Sequence, residues 1–537
     1  MFVERSIEQL RDRLGPIAKS LNIEDTIAPI YHQLQPIDPS IKHRLSNINF
    51  PEINNKNVDE VAIFTDLYPI YYRTIYSGLL AHVLYNHGIG SIFVYDHKQF
   101  KTCQKKDSNV DCVECVNKSE ALTDLMGLNR YYMKGLDLDD TDIPSVVNSK
   151  MDRFAQSAAS RKLKIAEVNQ SNQKHQELVG DFIQSAEVLW KTLSNLDKKF
   201  NFKYIFSYSS PRVPRRIAIE YGSHHNKVVI GTTDPGFGID NGHLFNYGEG
   251  PLPTYISESV WNKLLNRGIS KEELNEVEDL LLERSTNIRQ QQYTDKNTDV
   301  KEKIELDTNK HIYSMFTHLV WDAAADQIVS RVYDSHREWV IETIKQFENN
   351  DKQLIVKTHP AEAFRDGNDS MIGILDEEFE KTPSNIQILS PDTIINSYNL
   401  IRESDVIIVN TSTVGLESAI LGKPVITVGD AHYAKKGFTF DPSNKQQYIR
   451  RINNIGDNKK IGGGKIKKAK IYGYNYFIER PKYLTDLLQP WWNVDNPDEI
   501  LEFEKYEEVV EHDELNKIAQ SIKNDGSYFY FDETRPQ

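Results

Sequence analysis

The chemistry-bearing residues of this chain crowd into one stretch of its second half. The strand-like run Gln353–Lys357 leads directly into Thr358-His359-Pro360-Ala361-Glu362. In an open parallel α/β sheet ligands bind beyond the carboxyl ends of the strands, and His359 lies at such an end, with Pro360 stopping the strand. A packed loop histidine is the plain alternative for His359. Further on, the run Val406–Val409 ends in Asn410-Thr411-Ser412-Thr413-Val414-Gly415, where a helix is expected to begin. Hydroxyl side chains at a helix start suit a phosphate, because backbone N–H groups point outward, the dipole favours an anion and Gly415 permits close approach. Ordinary N-capping needs one such residue; this site offers Asn410, Thr411, Ser412 and Thr413 together. Glu417, in the first turn, could accept ribose hydroxyls or complement the dipole. A third polar loop, Gly429-Asp430-Ala431-His432, follows the run Pro424–Val428, so three strand ends carry anion-friendly loops. Lys357 could add positive charge beside a phosphate, or be a solvated lysine.

These loops need a scaffold. The chain has 537 residues, beyond the roughly 250–300 at which one core stops growing, so two large domains are expected. Short apolar runs alternate with helical patterns over about 58–235, with strands at Val61–Thr65, Ser91–Tyr95, Lys203–Ser207 and Lys227–Ile230 and a helix over Tyr71–Asn86. That alternation implies a parallel sheet. Residues 232–256 read as a long loop, a helical pattern runs from Glu258 to about Arg289, and 290–310 is polar enough for a linker. A second β/α series starts at His311–Phe316. The resulting division is an N-terminal helix and arm over 1–57, an acceptor domain over 58–300, a donor domain over 311–480 and a helical extension over 481–537. Val3, Ile7, Leu10, Leu14, Ile17 and Leu21 form one stripe of the first helix, a surface for docking or for a homo-oligomer through 3–21.

Composition excludes whole classes of partner. With 64 Lys+Arg against 78 Asp+Glu the net charge is −14, which argues against nucleic-acid binding. Three Cys cannot form a disulfide framework, and neither a signal-peptide pattern nor a membrane-spanning run is legible, so a cytoplasmic protein with at most peripheral membrane contact is expected. Cys103, Cys112 and Cys115, with His97 upstream, have a spacing that a structural zinc could use; unligated thiols are the alternative. The Lys-rich, Gly-rich stretch 459–470 reads as a mobile loop that could meet anionic lipid or a phosphate-bearing acceptor.

Several of these segments resemble a known family. Phe316-Thr317-His318-Leu319-Val320-Trp321-Asp322, Glu338-Trp339, Val356-Lys357-Thr358-His359-Pro360-Ala361-Glu362, Asn410–Glu417 and Gly422-Lys423-Pro424-Val425 are similar to capsule and surface-polysaccharide glycosyltransferases of the GT-B type. Those are related to Kdo transferases and bacterial GT-B sialyltransferases, and more remotely to teichoic-acid polymerases. The match covers about 311–440, with a looser one over 58–96 and 203–230, where Arg212–Arg216 resembles the family's Arg-bearing turn. The resemblance implies an α/β GT-B fold, two facing Rossmann-like domains with the active site between them. It implies that His359, and Ser412 with Thr413, hold the phosphate of a CMP- or UDP-sugar donor. Lacking an Asp-x-Asp signature in the expected place, the chain is expected to work without a metal, with inversion, and with a carboxylate as base. Asp66 is the first choice, its alternative being a turn residue before Leu-Tyr-Pro, and Asp234 the second. The acceptor would be a surface glycan or its lipid carrier at the inner face of the membrane. Rival readings are a teichoic-acid-type phosphotransferase using a CDP-alcohol, a nucleotide-sugar epimerase or hydrolase, and a non-catalytic scaffold of a polysaccharide assembly complex.

Overall fold

The structure, a computed structural model, describes residues 37–65, 71–96, 99–103, 109–133, 143–208, 213–233, 242–248, 252–286, 300–322, 331–348, 350–363, 367–393, 395–455, 460–489 and 497–531. The helix 3–21, Asp66, His97, Arg212 and Asp234 lie outside the described residues.

Two sheets organise the chain, as an α/β protein with two Rossmann-like halves requires. The first has β1 (Glu60–Phe64), β2 (Ile89–Asp96), β3 (Arg130–Met133), β4 (Tyr204–Tyr208), β5 (Val228–Thr233) and β6 (Leu244–Tyr247), in the order β3-β2-β1-β4-β5-β6. All neighbours are parallel except β5 and β6. Its helices include α1 (Tyr71–Asn86), α2 (Asn109–Leu125), α3 (Ser145–Leu163), α4 (Gln173–Phe200) and α5 (Arg215–His224). Asn172 caps α4 by accepting from the amides of Lys174 and His175, and Val179, Phe182, Ala186, Leu189, Leu193 and Leu196 form its buried stripe.

The expected helix from Glu258 onward is two helices, α6 (Glu258–Arg267) and α7 (Lys271–Thr286), because Gly268 at φ 76° ends the first. The loop expected over 232–256 contains β6, whose Leu244 and Phe245 are buried. The expected linker also shrinks, since Val300 and Ile304 sit in the core.

The second sheet is wholly parallel, with β7 (Ile312–Phe316), β8 (Gln353–Lys357), β9 (Ile386–Leu389), β10 (Val406–Val409) and β11 (Val425–Thr427) in the order β11-β10-β7-β8-β9. From β7 the chain steps one way to β8 and β9, then returns to β10 on the other side. The carboxyl ends of β7 and β10 therefore flank a topological switch point, where a doubly wound sheet offers a crevice. Around it lie α8 (His336–Phe347), α9 (Val414–Ile420) and α10 (Gly463–Tyr474).

The expected mobile Lys-rich loop is instead largely α10. Lys470 pairs with Glu278, Lys465 lies 4.2 Å from the Phe440 ring centroid, and Ala469, Ile471 and Tyr472 are buried. Three glycines precede or open the helix, which is why the stretch reads as a loop. Helices α6 and α7 pack on α10, so they side with the second half. Beyond it, α11 (Tyr506–Val510) and α12 (Asp513–Lys523) return to the first half and pack on α1. Among the described residues no helix is long and apolar enough to cross a membrane.

Candidate functional site

The strand ends of the second sheet converge through a histidine to which the sequence assigns no role. His318 follows β7 and is buried, and its Nε2 accepts the amide of Thr411 after β10 at 3.3 Å, with the Thr411 hydroxyl at 3.4 Å. The switch-point crevice is thus closed at its base by a side chain from one strand end and an amide from the other. Burial first, and the neighbouring His359 second, push His318 down to about 4, so its ring is neutral near pH 7. The amide of His318 donates in turn to Nε2 of His336, at the start of α8, over 3.3 Å. Ser335 caps that helix by accepting from the Glu338 amide at 3.1 Å, which fixes where His336 stands. The Ser335-x-x-Glu338 pattern was a readable sign of the helix start. Nothing in sequence order brings His318, His336 and His359 together; strand register does.

Lys357 closes β8, in register with Phe316 and Leu389, the last residues of the flanking strands. The residue is 4 % exposed, and its ammonium has no hydrogen-bond or ion-pair partner among the described residues. Desolvation alone lowers it to about 8. The solvated reading of this lysine is therefore corrected, since the sheet buries it. His359 follows, and its Nδ1 accepts the Ala361 amide at 3.1 Å, so in the neutral ring Nε2 carries the proton and is a donor. Pro360 opens a short 3-10 turn ending at Ala363. Glu362 accepts from the Met371 amide at 3.1 Å and is pushed up by burial to about 7, with Oε1 buried and unpartnered.

Other expected residues are committed elsewhere. The Thr358 hydroxyl donates to the Leu389 carbonyl at 2.6 Å, inside the sheet. Ser412 Oγ accepts from the Val414 amide at 3.3 Å, and Thr413 stands at the start of α9 without a side-chain cap. Glu417 is buried and pairs with Arg284 of α7 at 2.7 Å, so the ion pair rather than solvent meets this carboxylate. His432 packs with α10 instead of the strand ends, its Nδ1 3.0 Å from the Tyr472 hydroxyl and its ring stacked on Tyr476. At the two glycines it is side chains of the protein itself that approach closely. A Cβ on Gly415 would meet Tyr433 Oη at 2.1 Å, and one on Gly429 would meet Asn410 Oδ1 at 2.1 Å. Asn410 is itself buried.

For zinc, Cys103 and Cys115 are half-buried, Cys115 on α2, while His97 lies outside the described residues. Among the described residues no group of three His, Cys, Asp or Glu is arranged to hold a metal ion.

The comparison with family models falls on the same half of the chain. Residues 257–457 match the model of the family described as capsule polysaccharide biosynthesis protein. Among solved structures, the β-Kdo 2,4-transferase KpsC of Thermosulfurimonas dismutans is similar at 13 % identity, over 53 % of this chain and 82 % of that one, with a TM-score of 0.34. The UDP-GlcNAc 2-epimerase of Neisseria meningitidis, bound to UDP-GlcNAc, is similar at 12 % identity over 77 % and 95 %, with a TM-score of 0.25. No curated protein sequence matches.

Proposed function

We propose that this chain, whose residues 257–457 carry the match to capsule polysaccharide biosynthesis proteins, is a glycosyltransferase that moves a sugar from a nucleotide donor to a surface or lipid-linked glycan. The observation that supports it most is Lys357, a residue 4 % exposed whose ammonium has no ion partner among the described residues, at the end of β8 and one strand from the switch point. Holding a charge there is costly unless an anion arrives to meet it. A donor phosphate is such an anion, with the Nε2–H of His359 as a second donor. In the transfer, an acceptor hydroxyl oxygen forms a bond to the anomeric carbon while the bond from that carbon to the phosphate oxygen breaks. The electron pair leaves with the nucleotide, whose growing negative charge Lys357 and His359 stabilise. The acceptor's proton goes to a carboxylate of the first half, for which Asp66 is proposed. CMP- or UDP-activated donors, transfer without a metal, inversion and peripheral membrane contact through the lysines near α10 belong to the same proposal.

A thermal-shift series on the full chain with CMP, UDP and CDP-glycerol tests it. One nucleotide should raise the melting temperature selectively, and Lys357→Met should abolish that shift. A chain indifferent to all three nucleotides would end this reading, and a response to CDP-glycerol alone would redirect it to phosphotransfer.

A further inference from the structure

Between α3 and the segment joining β7 to α8 lies a cleft of about 220 Å³. One wall belongs to the first half, with Arg153 and Ser157 on α3. The other belongs to the second, with Val320, Trp321, His336 and Arg337. Several bonds tie the walls together. Arg161 pairs with Asp322 at 2.8 Å and lies 5.0 Å from the Trp321 ring centroid. The Ala166 amide donates to Asp369 Oδ2 at 2.8 Å, and the Asn368 amide to the Lys164 carbonyl at 3.0 Å.

Two of the residues that line the cleft carry a buried polar atom with no partner among the described residues. Ser157 Oγ and His336 Nδ1 are both buried without a partner, in residues 7 % and 4 % exposed. Because Nε2 of His336 accepts the His318 amide, the proton of the neutral ring sits on Nδ1. That leaves a buried donor with no acceptor among the described residues, an unfavourable condition that a ligand would relieve. Arg153 and Arg337 are exposed and make no contact ion pair among the described residues, the nearest influence on Arg337 being Glu378, whose carboxyl it helps to lower. The 12-residue helix α8 adds the positive end of its dipole at the same point. Of the carboxylates present, Asp322 is taken by Arg161 and Glu167 is exposed to solvent.

From this convergence of donors we infer that the cleft is a second binding site, taking the carboxylate or phosphate of an anionic sugar unit in the acceptor glycan. The sugar rests on the glycan-transfer reading above; the anion rests on the cleft itself. Ser157 and His336 meet the oxyanion, the two arginines neutralise it from opposite halves, and Val320 and Trp321 offer apolar surface to the ring.

Calorimetric titration of the full chain with D-glucuronate, D-glucose 6-phosphate and neutral D-glucose tests the site. At least one anionic sugar should bind about tenfold more tightly than glucose, the ratio that about 1.4 kcal/mol supplies. Which of the two does so tells carboxylate from phosphate. Arg153→Ala with Arg337→Ala, both exposed and so tolerated by the fold, should weaken that binding at least about tenfold while any nucleotide-induced shift persists. Ser157→Val should weaken the same ligand without touching the arginines. Anionic sugars no better than glucose, or a double variant that binds them like the parent, would overturn the inference. Loss of nucleotide response with anion binding intact would count against the donor reading and leave the cleft standing.

Discussion

Lys357 is held under opposing demands, and pH separates them. In the unfolded chain its ammonium titrates near 10.5, whereas burial brings the folded value to about 8. Between those values the unfolded chain binds the extra proton, so this residue makes stability rise with pH from about 8 to 10.5; below 8 its full cost is present, roughly 3 kcal/mol. Replacing it by methionine should therefore stabilise the protein at pH 7, with the gain gone above pH 10.5 as read by urea denaturation. Affinity for a nucleotide should move the other way, falling as pH climbs through about 8, where the free site loses its charge. An affinity flat from pH 7 to 9 would remove Lys357 from the anion site. The sequence leaves this lysine open between a solvated side chain and a phosphate ligand, because exposure depends on the two strands that flank it.

At the scale of elements, the turn after β10 is shaped by what stands opposite it. Gly429 has no room for a side chain, since its Cβ would fall 2.1 Å from Asn410 Oδ1 and 2.7 Å from Thr411 Cγ2. Gly429→Ala should push the Asn410–Thr411 turn away from His318 and cut nucleotide affinity, with the far-ultraviolet dichroism of the chain unchanged; retained affinity would show the turn to be passive. The strands that build this site were readable. Gln353–Lys357 and Val406–Val409 are continuous apolar runs of the kind a doubly covered parallel strand requires, and both have the bounds the sequence suggests. Helix Tyr71–Asn86 was equally plain. β3, β6 and β9 were not, being four residues each, partly exposed and set among polar or Gly-rich neighbours. Within the site, His359 and the Asn410–Thr413 run announced themselves by position after a strand. The contacts of His318 with Thr411 and of His336 with His318 join residues from separate strands and helices, and no local pattern encodes them.

At the scale of the whole molecule, buried charge fastens the helices that precede the second sheet onto it. Arg284 reaches Glu417 at 2.7 Å and also donates to the Tyr398 hydroxyl at 3.2 Å, fastening α7 to α9. Arg284→Met should destabilise by about 3–5 kcal/mol, because it strands a buried carboxylate, while Arg284→Met with Glu417→Leu should recover most of that loss. Chemical denaturation of the two variants measures the difference; equal losses would mean that the pair matters only through packing. The net charge of −14 sums the whole chain, and it conceals Lys357, an interior cation whose proposed role is to meet an anion.

The chain's return to its first half has a consequence for how it is made. Phe245 of β6 stacks on Phe529, the Tyr247 hydroxyl meets the Ile522 carbonyl, and Arg480, wholly buried, donates to the carbonyls of Phe245, Pro253 and Thr254. A ribosome emits the first sheet long before it emits these partners. The nascent first half must then wait with an uncovered apolar flank while the second sheet is translated and folded, and only the emergence of residues near 520–530 seals it. The half that is synthesised first is thus the one completed last, which makes it the segment that a holding chaperone would be expected to guard.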